Sequence, residues 1–135
     1  MNHIVEVLFD RLLKAANELG YSAKSTTNDK NIHATFSKES NSVNLTYTEE
    51  GERSGYSLYD LDVIVKVRNH SYILIRSERG EDDIAEDFQA LDTILESVKT
   101  GKYSIIKERQ LLIFRNTYMV IEDVNHQSIH LLETR

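Results

Sequence analysis

The sequence predicts an α+β domain, an antiparallel meandering sheet with two amphipathic helices in the order α-ββββ-α-ββββ. Three observations carry this. Residues 3–19 and 81–102 repeat apolar side chains at three- and four-residue spacing, the period of one helix face. The stretches between and after them switch to two-residue alternation. The helices also stand apart from grouped strands, which favours an antiparallel sheet over a βαβ array.

The first helix is expected from His3 to Leu19, with Gly20 as its stop. Ile4, Val5, Leu8, Phe9, Leu12, Leu13, Ala15, Ala16 and Leu19 cover about half of its circumference. That is more than one helix–sheet contact needs, so the surplus implies either a deep central position or a contact with another subunit, as in a homodimer through this helix. Ser22 to Asn31 reads as a polar connection. Ile32 to Ser37 and Val43 to Thr48 then alternate as a hairpin around KESNS, and Glu49 to Ser57 reads as a second polar loop. Tyr59 to Val67 is the strongest strand, with Tyr59, Leu61, Val63, Val65 and Val67 on one face. Asn69-His70 turns it into Tyr72 to Arg76.

The second helix is expected over Glu81–Lys102. Ile84, Phe88, Leu91, Leu95 and Val98 form its apolar stripe, Asp82 and Asp83 cap its start, and Gly101 ends it. Four short apolar runs follow: Tyr103 to Ile106, Leu111 to Phe114, Tyr118 to Ile121 and Ser128 to Leu132. Turns are expected at Arg115-Asn116-Thr117 and Val124 to Gln127, and Lys107 to Gln110 could fuse the first two runs through a bulge. Both helices end in glycine followed shortly by Tyr-Ser, the only internal echo and slight support for a duplication.

With 135 residues, 40% apolar and 28% charged, residues 1–135 read as a single acidic domain able to bury its own core. No stretch approaches the roughly 20 apolar residues of a membrane span. The N-terminal residues mix acids and bases through their apolar positions, unlike a secretory signal, and there is no cysteine. A cytoplasmic protein is expected, without disulfides or thiolate metal sites.

The net charge of −6 is concentrated. Between Glu78 and Glu96 eight acids stand against one base, Arg79, a local charge of −7. Nucleic-acid binders carry the opposite pattern, a basic face, so the acidity points either to a protein partner with a basic surface, itself a candidate nucleic-acid-binding protein, or simply to solubility. Asp83, Glu86, Asp87, Asp92 and Glu96 are the expected contact residues. No direct nucleic-acid contact, membrane contact or cofactor is expected.

Other constellations carry less. Asp60 and Asp62 lie one residue apart on one strand face, an arrangement that suits a divalent metal holding nucleotide phosphates. The stretch SGYSLYDLDVIV (residues 54–65) resembles the signature of the nucleotidyltransferase superfamily, in which a Gly-Ser turn precedes an Asp-x-Asp strand; here Gly51 is followed by Glu52. That resemblance implies, as the alternative function, a minimal metal- and nucleotide-binding enzyme using Asp60 and Asp62. The competing reading is a wet strand face whose acids pair with Lys66 or Arg68. His126 and His130 have metal-ligand spacing for a helix but fall in a turn and a strand. Lys99, Lys102, Lys107 and Arg109 cluster around Tyr103, chiefly as counter-charge to a helix C-terminus.

The expected function is therefore a non-enzymatic, acidic protein-binding module. Immunity proteins, phage-encoded inhibitors of host systems and secretion chaperones are small acidic proteins of this kind. The order helix, strands, helix, strands is similar to that of the type III secretion chaperone class, acidic homodimers which usually add a C-terminal helix absent here.

Overall fold

The computed structural model describes residues 1–53, 55–110 and 114–134. It is α+β, with two helices and one eight-stranded antiparallel sheet. Helix α1 (His3–Glu18) is followed by β1 (Ser22–Thr27), β2 (Asn31–Lys38), β3 (Asn41–Arg53), β4 (Tyr56–Val67) and β5 (His70–Gly80). A single 3-10 turn (Glu81–Asp83) leads into α2 (Ile84–Thr100), and β6 (Ser104–Gln110), β7 (Phe114–Glu122) and β8 (Ser128–Thr134) complete the chain. The spatial order is β1-β2-β3-β4-β5-β8-β7-β6. The sequence of helix, strands, helix, strands is the expected one, with five strands before α2 and three after it.

Each end of the sheet carries the same unit, a helix followed by a three-stranded meander, and β4 and β5 lie between them. The two helices also stop alike. Gly20 and Gly101 both take left-handed φ (90° and 73°), which glycine adopts without a Cβ penalty. The Tyr21 N–H then bonds the Ala16 carbonyl at 3.0 Å, and the Lys102 N–H bonds that of Ser97 at 3.1 Å. At the other ends, Asn2 caps α1 through a 2.8 Å bond from the Ile4 N–H, and Asp83 accepts the Gly80 N–H at 2.9 Å.

Four expectations need correction. Ser22–Thr27 is a strand, not a connection; it is exposed throughout and pairs in full register with β2, so backbone bonding holds it without an apolar stripe. The expected loop over 49–57 is mostly ladder. β3 and β4 continue pairing to Arg53 and Tyr56 because a bulge between Glu49 and Gly51, with Gly51 at φ 89°, absorbs the irregularity. Arg115–Thr117 is not a turn but part of β7, opposite Lys107, Glu108 and Arg109. The β4–β5 turn sits one residue earlier than expected, at Arg68-Asn69, both with positive φ as a type I′ hairpin requires. The first three residues of the expected 111–114 strand and Ser54 lie outside the described residues.

Both helices pack on one face of the sheet. Val5, Phe9, Leu12 and Ala16 of α1 and Ile84, Phe88, Leu91, Ile94, Leu95 and Val98 of α2 bury against Phe36, Val43, Leu45, Val63, Val65, Met119, Ile121 and Leu131. Tyr21 ties the layers together: its hydroxyl donates to the Leu95 carbonyl at 2.5 Å, and burial pushes its pKa up to about 12. The broad face of α1 is largely consumed inside the chain, leaving Ile4 and Val7 exposed.

The opposite face carries no helix. One rung crosses all eight strands there as Lys24, Thr35, Asn44, Ile64, Ile73, Leu132, Tyr118 and Ile106. Its first three members are polar and its last five are apolar.

Candidate functional site

The acidic segment divides in two once folded. Asp87 points inward and is only 1% exposed. Its carboxylate accepts from the Tyr59 hydroxyl at 2.6 Å, from Arg79 at 3.1 and 3.0 Å, and from Arg76. Burial alone would push this carboxyl up, but the bonds from Arg79, Tyr59 and Arg76 outweigh it and hold Asp87 below the ordinary carboxylate range. Reciprocally, its hydrogen bond raises Arg79, while burial first and Asp87 second raise Tyr59. The sequence expectation that Asp87 meets a partner is therefore corrected. Arg76 and Arg79 reach it from β5, so it clamps the start of α2 to β4 and β5. Asp83 is also partly committed, to the Gly80 N–H and, at 3.8 Å, to Arg79.

The sequence held a signal for this clamp. Arg76 continues the alternation of Tyr72 and Leu74, a core-facing position where a guanidinium requires a buried acid. Tyr59 heads the apolar face of β4, and a buried phenol needs an acceptor.

Glu86, Asp92 and Glu96 do stand outward, at the three- and four-residue steps of one α2 stripe with Gln89 and Lys99. Partial desolvation lifts the Asp92 carboxyl above its ordinary pKa. A second acidic element, which the sequence reading did not connect to α2, faces part of this stripe. The β7–β8 turn brings Glu122 and Asp123 beside it, and a groove of ≈ 710 Å³ runs between them, lined by Glu96, Thr93, Glu122, Asp123, His126 and one lysine, Lys102, among others. Asp123 shapes the turn by accepting the Asn125 and Gln127 N–H groups at 2.8 and 2.9 Å, while Glu122 lies 2.6 Å from His126 Nδ1. β5 and β8 share only three rungs before they part. There a smaller cleft of ≈ 320 Å³, lined by Glu86, Arg76, Gln89 and Asp123, extends the acidic strip toward the start of α2.

The other candidates are placed as follows. Asp60 and Asp62 share the bare face of β4, as their spacing requires, and Asp60 accepts the Glu78 N–H at 2.8 Å where β5 bulges. Among the described residues no three His, Cys, Asp or Glu side chains gather to hold a metal. His126 and His130 do not converge: the first meets Glu122 in the turn, and the second packs edge-on against Tyr118 at 6.1 Å on the bare face. No described helix is long and apolar enough to cross a membrane. In comparisons with known proteins, no family model, no curated sequence and no solved structure matches this chain, so the functional reading rests on its geometry.

Proposed function

We propose that this chain acts by binding a basic surface of another protein in the groove between α2 and the β7–β8 turn. The observation that carries the reading is the exposed acidic stripe of Glu86, Asp92 and Glu96, whose two ends, Glu96 and Glu86, line clefts walled on the other side by Glu122 and Asp123. A concave site with carboxylates on both walls focuses negative potential and favours an inserted Lys- or Arg-bearing segment over a flat contact. Asp83 and Asp87 serve the fold, so the contact set narrows to Glu86, Asp92, Glu96 and Glu122. Inhibitor, immunity and chaperone roles all fit such a site; each uses an acidic surface to occupy a basic one. The reading of Asp60 and Asp62 as a nucleotidyltransferase-like pair has in its favour only their shared face.

The test is capture by the immobilised chain from lysate at low and high salt, alongside a Glu86→Lys/Asp92→Lys/Glu96→Lys variant. A protein retained at low salt, released at high salt and not captured by the variant supports the reading. Retention that ignores both salt and the substitutions refutes the groove as the site.

A further inference from the structure

Beside the acidic groove, and sharing Tyr103 with it, lies a second cleft of different chemistry. Lys107, which the sequence groups with Lys99, Lys102 and Arg109 around Tyr103, stands opposite Thr117 on the helix side of the sheet. There it lines a cleft of ≈ 410 Å³ together with Arg68, His70, Tyr72, Tyr103 and Ile105. Strand register explains the gathering. His70 faces Val67 and Tyr72 faces Val65 across β4–β5, and Tyr72 in turn faces Glu133 of β8. Residues from the middle of the sequence and from its C-terminal strands thus meet on one strip of sheet.

The cleft has two chemical halves. Its floor is apolar, with Val67 and Tyr72 buried, Tyr103 packed partly against the core and Ile105 exposed. Among the described residues its polar lining includes Arg68, Lys107, His70 and one carboxylate, Glu133, which lies 3.4 Å from His70. One rung further out on the same side, Arg109 and Arg115 face each other across β6–β7.

We propose that this cleft binds a small anion carrying one flat apolar body, of the size and chemistry of an aryl phosphate or aryl carboxylate. The tyrosines and Ile105 take the body out of water, and Lys107 and Arg68 meet its charge. The volume suits one such molecule and falls at the small end of ligand sites. A long polyanion gains little from a compact apolar floor, which is why a small ligand fits the lining better than a nucleic-acid strand.

The test is a heteronuclear NMR titration of the whole chain with phenyl phosphate, beside parallel titrations with inorganic phosphate, phenol and a single-stranded oligonucleotide. Saturable shifts at the amides of Val67, His70, Tyr72 and Lys107 are expected, with inorganic phosphate and phenol each binding about ten-fold more weakly. Lys107 is exposed, so Lys107→Gln leaves the fold intact and weakens phenyl phosphate about ten-fold, whereas Glu133→Gln strengthens it. Absence of saturation at millimolar phenyl phosphate overturns the proposal. So do shifts centred elsewhere, equal affinity for inorganic phosphate, or an oligonucleotide that binds while phenyl phosphate does not.

Discussion

The two faces of the sheet are built from the same strands, yet they obey different rules. On the helix side every strand from β2 to β8 except the edge strand β6 contributes buried side chains, among them Ala34, Leu45, Val63, Tyr72, Leu131 and Met119. On the bare side the character changes halfway along one rung. Thr35 and Asn44 are polar and joined by a 2.8 Å hydrogen bond, whereas Ile64, Ile73, Leu132, Tyr118 and Ile106 are apolar with no described helix over them. Leu132 and Ile106 keep 40% and 42% of their surface exposed. The contrast teaches that apolar character and burial are separable: the helices decide which face is core.

The largest effect that tests this contrast is on the covered side. Leu45→Ala removes a side chain that is 1% exposed, and is expected to cost about 3–4 kcal/mol in urea denaturation with an unchanged slope. Ile73→Ala, on the bare rung, is expected to cost under about 1 kcal/mol. Equal losses at the two positions would mean that the bare face is covered in solution, and the contrast would fail.

A second test concerns the clamp at the edge of the core. Asp87→Ala removes the acceptor shared by Arg76 and Arg79, leaving Arg79 with Asp83 at 3.8 Å. Both guanidinium groups remain about a quarter exposed, which limits the expected loss to about 2–3 kcal/mol. The clamp also makes an acid-sensitive contribution. The folded carboxyl lies below its unfolded value of 3.8, so its stabilisation is fully present above that pH and is lost as the pH falls through the folded value. Thermal melts from neutral to acid pH should lose more stability in the parent chain than in Asp87→Asn. Parallel curves would show that the Asp87 charge contributes nothing.

Much of the covered face was legible from sequence because alternation and helical spacing report which side chains share a side. The β4 stripe and the α2 stripe were both read in this way. What was not legible has physical causes. β1 has no apolar stripe, and its pairing with β2 is visible only in backbone hydrogen bonds. The polar Arg115–Thr117 stretch resembles a turn until β6 is seen opposite it. Asp87 looked like its neighbour Glu86, because charge is read along the chain whereas its partners Tyr59, Arg76 and Arg79 lie on other elements. The groove was half legible: the α2 stripe follows from spacing, but Glu122 and Asp123 arrive there only through the path of β7.

Smaller effects separate the apolar half of the bare rung from an ordinary wet surface. Leu132→Thr is expected to change stability by no more than about 0.5 kcal/mol, since the side chain is already substantially exposed. It should nevertheless reduce binding of an apolar fluorescent dye, because the five-residue strip is interrupted at its middle strand. Dye binding unchanged by this substitution would place the accessible apolar surface elsewhere, with Ile4 and Val7 of α1 the next to test.

The smallest effect is the most informative about the acidic groove. Asp92 and Asp87 lie on one helix, and their carboxyls shift in opposite directions. Desolvation raises Asp92, so by the same linkage its charge costs stability at neutral pH, and the cost disappears as the pH falls through the raised folded value. Asp92→Asn should therefore gain a few tenths of a kcal/mol at neutral pH, a small figure because the side chain is exposed and screened, and gain nothing at acid pH. In the same variant, affinity for a basic protein partner should fall. A gain in stability paired with a loss in binding is what a residue kept for contact produces. A loss of both would return Asp92 to the fold, leaving Glu86, Glu96 and Glu122 to carry the groove.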